Sequence, residues 1–418
     1  MKRQSEHGTY TFQVMAKPAG PVCNLSCAYC FYRHKTQGLH TKHVFQMERE
    51  TLEVFVRNYI ASQPDGFPVQ FVWQGGEPTL CGIDFFQDAI GLQERYRRPG
   101  QEITNAFQTN AVLIDEKWAA FFKEHDFLIG VSIDGPAGIH DHYRRDAAGG
   151  GSFDRVMAAV EHLKKHDVQY NVLCCVTDIS VEDPLNIYGF LREHFEFIQF
   201  IPVVEEKNFV HQAPFLRDEK KWLKSKKKRP ADLVTPWSVT PEGWGRFLNT
   251  VFDEWVVRDV GRTFVQIFDA TLACCLGQPA PLCIFNRTCG RDLVMEHGGD
   301  LYSCDHFVYP QYKLGNIKER GLYEIAAAKK QVVFGQDKFK RLPRQCLNCT
   351  YLALCSGGCP KNRFVSTRKG EKELNYLCVG YHDYFSHTAK AMAFMTNELK
   401  NHRPAANVMK VAREMIEP

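Results

Sequence analysis

From Phe12 to about Val204 the chain alternates short runs rich in β-branched and aromatic residues with longer amphipathic stretches, and this alternation constrains the fold most. Parallel strands need crossover connections, so the pattern predicts an α/β fold with helices covering a parallel sheet. Strands are expected over 12–16, 69–73, 105–109, 127–133, 170–176 and 197–202, with helices near 49–60, 85–97, 117–123, 153–166 and 184–194. Six such strands suit an open, partial barrel. Active sites in these architectures form at the C-terminal ends of the strands, and the motif-like residues of this chain follow strand ends.

At 418 residues the chain is longer than one hydrophobic core usually supports, so a large domain with a smaller one attached is expected. The reading assigns 1–204 to the core, 205–239 to an exposed basic connection, 240–280 to a bridging helical segment, 281–383 to a cysteine-rich domain and 384–418 to a C-terminal helix and tail. The run EKKWLKSKKKRP marks the connection, and Thr240 followed by Pro241 and Glu242 is a helix start. A terminal helix is expected from about Tyr384 to Leu399. No window approaches the roughly 20 apolar residues of a membrane span, and the N-terminus lacks an apolar signal stretch. A cytoplasmic protein is therefore expected. The net charge of +4 is too small to argue for nucleic-acid binding.

Sixteen cysteines in a reducing compartment would not persist as disulfides, so metal, redox chemistry or burial must account for them. Cys23, Cys27 and Cys30 in CNLSCAYC follow the first expected strand with C-x3-C-x2-C spacing. Three thiolates on one loop can hold three irons of a [4Fe–4S] cluster and leave the fourth open, with Tyr29 and Phe31 beside them. A zinc site would need a fourth ligand, which only His34 supplies nearby. A second group comprises Cys283, Cys289 and Cys304, then Cys346, Cys349, Cys355 and Cys359, then Cys378. Eight thiolates complete two four-cysteine sites, for which iron–sulfur clusters and zinc are both open. Cys81, Cys174, Cys175, Cys274 and Cys275 read as core residues or inert thiols.

The CxxxCxxC loop resembles the signature of the radical S-adenosylmethionine (SAM) superfamily, and QGGEP at 74–78 resembles its glycine-rich motif. The resemblance implies a partial (β/α)6 TIM-like barrel that binds SAM through its open iron. It places Gly76 and Glu77 near the methionine amino group, and Ser132 and Arg144, from VSIDG and HDHYRRD, near the SAM carboxylate and ribose. Tyr29 and Val204 match further SAM contacts. The later cysteines resemble the SPASM extension, which implies two auxiliary clusters, one on Cys283, Cys289, Cys304 and Cys359 and the other on Cys346, Cys349, Cys355 and Cys378.

The order CNLSCAYCFY, WQGGEPTL, FQTN, VSIDG, CDHFVYP, LGN, CSGGCP and LNYLC is similar along nearly the whole chain to anaerobic sulfatase-maturating enzymes. These convert a sulfatase cysteine or serine to Cα-formylglycine. Their cofactors are three [4Fe–4S] clusters and SAM, and the 5′-deoxyadenosyl radical abstracts hydrogen from the substrate Cβ. The resemblance implies Asp305 as proton acceptor and Tyr32, Gln74 and Gln108 in the substrate pocket. It also implies an unfolded or nascent sulfatase as partner and flavodoxin or ferredoxin as electron donor, without nucleic acid or membrane. A maturase forming a thioether or carbon–carbon crosslink is the alternative enzyme, and a zinc-stabilised binding module the alternative of another class.

Overall fold

The computed structural model describes residues 11–33, 46–207 and 230–416. The basic run at 219–229 and His34 therefore lie outside the described residues. The alternation appears as β1 (Gln13–Lys17), α1 (Arg49–Ser62), β2 (Val69–Trp73), α2 (Ile83–Tyr96), β3 (Ile103–Thr109), α3 (Glu116–Glu124), β4 (Phe127–Ser132), α4 (Ala137–Tyr143), α5 (Phe153–Lys165), β5 (Tyr170–Val176), α6 (Pro184–His194) and β6 (Phe197–Pro202). Helix starts follow local chemistry. Asp115 accepts hydrogen bonds from the backbone N–H groups of Lys117 and Trp118 at the start of α3. Proline opens α6 at a position where its missing N–H costs nothing.

The chain divides into two compact units. The first comprises 1–131, 145–170 and 290–335, and its strand order is β10-β9-β8-β1-β2-β3-β4. Here β8 (Asp292–Glu296), β9 (Asp300–Tyr302) and β10 (Lys313–Asn316) come from the cysteine-rich stretch. Strands β8 and β1 to β4 run parallel, whereas β9 and β10 are antiparallel additions. Alternation turns Val69, Phe71 and Trp73 inward, and they pack with Phe55, Tyr59, Phe86 and Phe107 into an aromatic core. Each such ring contributes about 1.5–3 kcal/mol by leaving water. The register sets Lys17, the last residue of β1, beside Glu296, the last of β8.

The second unit comprises 132–144, 171–289 and 336–418. It contains parallel β5-β6-β7, where β7 is Phe264–Val265. Its helix Pro241–Arg258 begins as expected, with Thr240 accepting from Gly243 N–H. This helix packs against Cys378–Lys400 so closely that a Cβ at Gly245 would lie 2.9 Å from Gly380 Cα, and one at Gly380 would overlap the Pro241 carbonyl. The terminal helix starts at Cys378 rather than near Tyr384. Asn375 supplies the reason, since its side chain accepts from Leu377 N–H and orders the turn before the helix.

Candidate active site

In the first unit the cysteine loop and the glycine-rich loop are built on each other. Gly76 N–H donates to Gly20 C=O (2.7 Å) and Glu77 N–H to Val22 C=O (2.8 Å), directly before Cys23. A side chain at Gly76 would overlap the Val22 carbonyl oxygen and lie 2.8 Å from the Pro21 carbonyl carbon, so this position requires glycine. Glu77 is 0% exposed and accepts from Thr79 N–H (3.0 Å), the hydroxyls of Thr79 (2.7 Å) and Thr109 (2.8 Å), and Asn110 N–H (2.7 Å). These four donors favour its ionised form, although burial pushes its pKa upward. Glu77 is thus the pin that joins the ends of β2 and β3. The Cys23 sulfur accepts from Leu25 N–H (3.3 Å) and the Asn110 amide (3.5 Å), donors suited to a metal-bound thiolate.

Asp305 lies in the same unit, one residue after Cys304. Its carboxylate pairs with Lys17, which is 1% exposed and whose ammonium sits 3.7 Å from the Tyr32 ring centroid. Tyr32 donates its hydroxyl proton to Glu296 at 2.5 Å. Burial, then the charges of Glu296 and Asp305, push the Tyr32 phenol well above its ordinary range. His306 faces the Phe31 ring at 5.2 Å. The structure therefore joins Tyr32 and Asp305 through Lys17. Gln74 follows β2, with its amide oxygen buried and without a hydrogen-bond partner, and half-buried Gln108 stands near the end of β3. Lys17 and Glu296 were missed by sequence reasoning; a lysine directly after the apolar run at 14–16 was the available signal for the first.

In the second unit Ser132, Asp134 and Arg144 are 8%, 3% and 8% exposed, so Arg144 is no solvated surface charge. Its Nε donates to Asp134 (2.8 Å), and Asp134 also accepts from Cys175 N–H (2.9 Å). Asp134 N–H donates to His140 Nδ1 at 3.2 Å, which requires a neutral ring, and burial lowers the His140 pKa to about 4. Val204 is buried just after β6.

Cys346, Cys349, Cys355 and Cys378 line one cavity of about 320 Å³, with Tyr351, Tyr381 and Phe385 among its walls. Burial raises the Cys346 thiol to about 11 and that of Cys378 to about 12. Ligation must displace those protons, so uptake of metal releases acid. Cys283, Cys289 and Cys359 also belong to this unit and feel one another's charge, whereas Cys304 belongs to the first. Among the described residues no three His, Cys, Asp or Glu side chains are gathered closely enough for a single metal ion. A cubane spreads its ligands over four irons, so that observation concerns single ions only.

The chain is 45% identical over 405 residues to a serine-type anaerobic sulfatase-maturating enzyme of Bacteroides thetaiotaomicron, covering 96% of this chain and 95% of the relative. It belongs to the anaerobic sulfatase-maturating enzymes. A cysteine-type anaerobic sulfatase-maturating enzyme of Clostridium perfringens is 33% identical over 394 residues, covering 93% of this chain and 99% of the relative. The solved structure of native anSMEcpe with bound AdoMet superimposes with a TM-score of 0.79 at 32% identity, covering 93% of this chain and 99% of that one. The Radical SAM superfamily profile matches residues 18–191, and that of SPASM, an iron–sulfur cluster-binding domain, matches 283–350. This sulfatase-maturating enzyme is a radical SAM oxidoreductase with the TIM-like α/β fold and SPASM domain expected from its sequence. No helix among the described residues is long and apolar enough to cross a membrane.

Proposed function

We propose that this chain oxidises a cysteine or serine side chain of an unfolded or nascent sulfatase to Cα-formylglycine in the cytoplasm, with electrons from flavodoxin or ferredoxin. Full-length similarity to both serine-type and cysteine-type maturases carries the reading. A related structure that holds AdoMet and the Cp18Cys peptide supports a peptide substrate. In this reading Cys23, Cys27 and Cys30 hold the SAM-cleaving cluster, and Tyr29, Gly76, Glu77, Ser132, Arg144 and Val204 serve the SAM site. The auxiliary clusters take Cys283, Cys289, Cys304 and Cys359, and Cys346, Cys349, Cys355 and Cys378. The thiol-lined cavity and the N–H donors on Cys23 fit such groups.

When bound, SAM and the clusters supply hydrogen-atom abstraction at the substrate Cβ and an outlet for the remaining electron. The protein's own part is placement and proton transfer. The Asp305 carboxylate accepts the thiol or hydroxyl proton, while Lys17, itself seated over the Tyr32 ring, holds that carboxylate at one position. Hydrogen atom, proton and electron together make a two-electron oxidation to an aldehyde or thioaldehyde, and the thioaldehyde hydrolyses to formylglycine. Tyr32, Gln74 and Gln108 line the peptide pocket, where the unpartnered Gln74 oxygen can accept a substrate N–H. The test incubates reconstituted enzyme with SAM, reductant and two sulfatase-motif peptides, one with cysteine and one with serine at the target. Mass spectrometry should detect formylglycine in at least one. SAM cleavage with a thioether product, or with neither peptide altered, would overturn the proposal.

A further inference from the structure

Two cations lie inside the second unit with no carboxylate in ion-pair contact among the described residues. Lys338 is 0% exposed and Arg363 1%. The Lys338 ammonium donates to the carbonyl oxygens of Cys283 (2.6 Å), Ile284 (2.9 Å) and Asn286, which uses all three of its protons on one turn. Arg363 donates through Nε to Gly357 C=O (3.0 Å), and through Nη2 to Ser356 C=O (3.0 Å) and Gly358 C=O (3.1 Å). Its Nη1 donates to the Lys338 carbonyl and links the two residues. Ser356, Gly357 and Gly358 all have positive φ, a turn that Arg363 holds between Cys355 and Cys359.

Carbonyl oxygens satisfy the donors of these cations but do not balance their charge, and an unbalanced buried cation is costly. Thiols make up most of the acidic surroundings. Cys283, Cys289 and Cys359 act on Lys338, and Cys346, Cys355 and Cys359 act on Arg363. Glu373 also acts on Arg363, but it is itself paired with Arg341.

We propose that Lys338 and Arg363 are a linked counter-charge for the auxiliary iron–sulfur site. They hold the 283–286 and 355–359 turns in ligating shape and stabilise the extra negative charge that the cluster on Cys283, Cys289 and Cys359 gains when it receives the substrate's electron. Net charge and hydrogen bonding near a cluster set its potential, so these positioning residues make that electron transfer easier. The inference rests on the cysteine assignment proposed above.

The experiment uses the full-length chain with Cys23, Cys27 and Cys30 replaced by alanine, so that only the C-terminal clusters remain. Iron analysis comes first, because fewer than about eight irons in this background refutes the cluster assignment itself. Lys338→Met, Arg363→Gln and the charge-retaining Arg363→Lys are then compared by iron content and by redox titration followed with electron paramagnetic resonance. The proposal expects the neutral variants to keep their iron and reduce at lower potential, with Arg363→Lys close to the parent. Loss of about four irons in the neutral variants but not in Arg363→Lys also supports it. Unchanged potentials with iron retained would overturn it, as would equal iron loss in all three, which would assign these residues to shape rather than charge.

Discussion

Replacing Gly76 with alanine tests whether the glycine-rich loop is a template for the cysteine loop. The added methyl overlaps the Val22 carbonyl oxygen by roughly an ångström or more, against an ordinary carbon–oxygen contact of about 3.3 Å. The segment just before Cys23 must move, and the bonds from Gly76 to Gly20 and from Glu77 to Val22 stretch with it. Two hydrogen bonds at about 1 kcal/mol each, with overpacking strain of about 1–3 kcal/mol, give a penalty of roughly 4 kcal/mol. That is enough to displace a loop but less than the stability of most domains. Gly76→Ala should therefore fold, lose about a third of the iron, which is one cubane of three, and fail to cleave SAM. The control is Gly91→Ala, in α2 with open space around it, which should be neutral or stabilising by up to about 1 kcal/mol. Iron and sulfide analysis after anaerobic reconstitution, with 5′-deoxyadenosine measured by chromatography, decides the matter. Full iron and normal SAM cleavage in Gly76→Ala would refute the template argument.

Asp305→Asn should retain all clusters and still cleave SAM while forming formylglycine more slowly by about 10² to 10⁴, seen as 5′-deoxyadenosine without matching product; near-normal product yield would return Asp305 to a structural role. Anaerobic reconstitution should yield about twelve irons per chain, and Cys346→Ala with Cys378→Ala should remove about four of them. Zinc saturating the C-terminal sites in protein purified without oxygen would contradict this. Arg144→Met leaves Asp134 buried without its cation and should cost about 3–5 kcal/mol, read as a lower melting temperature together with weaker SAM binding. Adding Asp134→Asn should restore part of the stability but not the SAM affinity. The depressed pKa of His140 favours its neutral ring in the folded state, so its stabilisation is complete above about pH 6.5 and lost as pH falls towards about 4. At most about 3 kcal/mol is involved, and His140→Gln should flatten the melting-temperature curve across that window. Parallel curves would show that His140 is not responsible.

Most of the barrel was legible because each of its strands advertises itself locally. The run VQFVW at 69–73 combines alternation with β-branched and aromatic residues, and the expected strand and β2 coincide. Cysteine spacing likewise singled out Cys23, Cys27 and Cys30 as a candidate cluster loop, and of the later cysteines Cys346, Cys349, Cys355 and Cys378 line one cavity. Strand β8 was missed because its parallel partner is β1, at the other end of the chain, and β9 and β10 because three and four residues are too few to show an alternation. Glu296 reaches Tyr32 across 264 positions, a contact that leaves no periodic trace. Lys338 and Arg363 escaped for a related reason. A lysine in KFK and an arginine in KNRF read as solvated, and only the turns folded around them give them another meaning.

The close seating of Gly380 on Pro241 also bears on how this protein is assembled. Cys378 is the first residue of a helix of 23 residues, a rod of about 34 Å, and Gly380 docks that rod two positions further on. One cavity thiol is thus mounted on a stiff post, whereas Cys346, Cys349 and Cys355 ride on short turns and four-residue helices. A rigid jaw facing adaptable ones behaves as a vice. Helix docking sets the gauge of the slot that the other three thiols line. A bulkier residue at Gly380 would then hold the slot open, and newly made chains would accumulate folded but with that cavity unfilled.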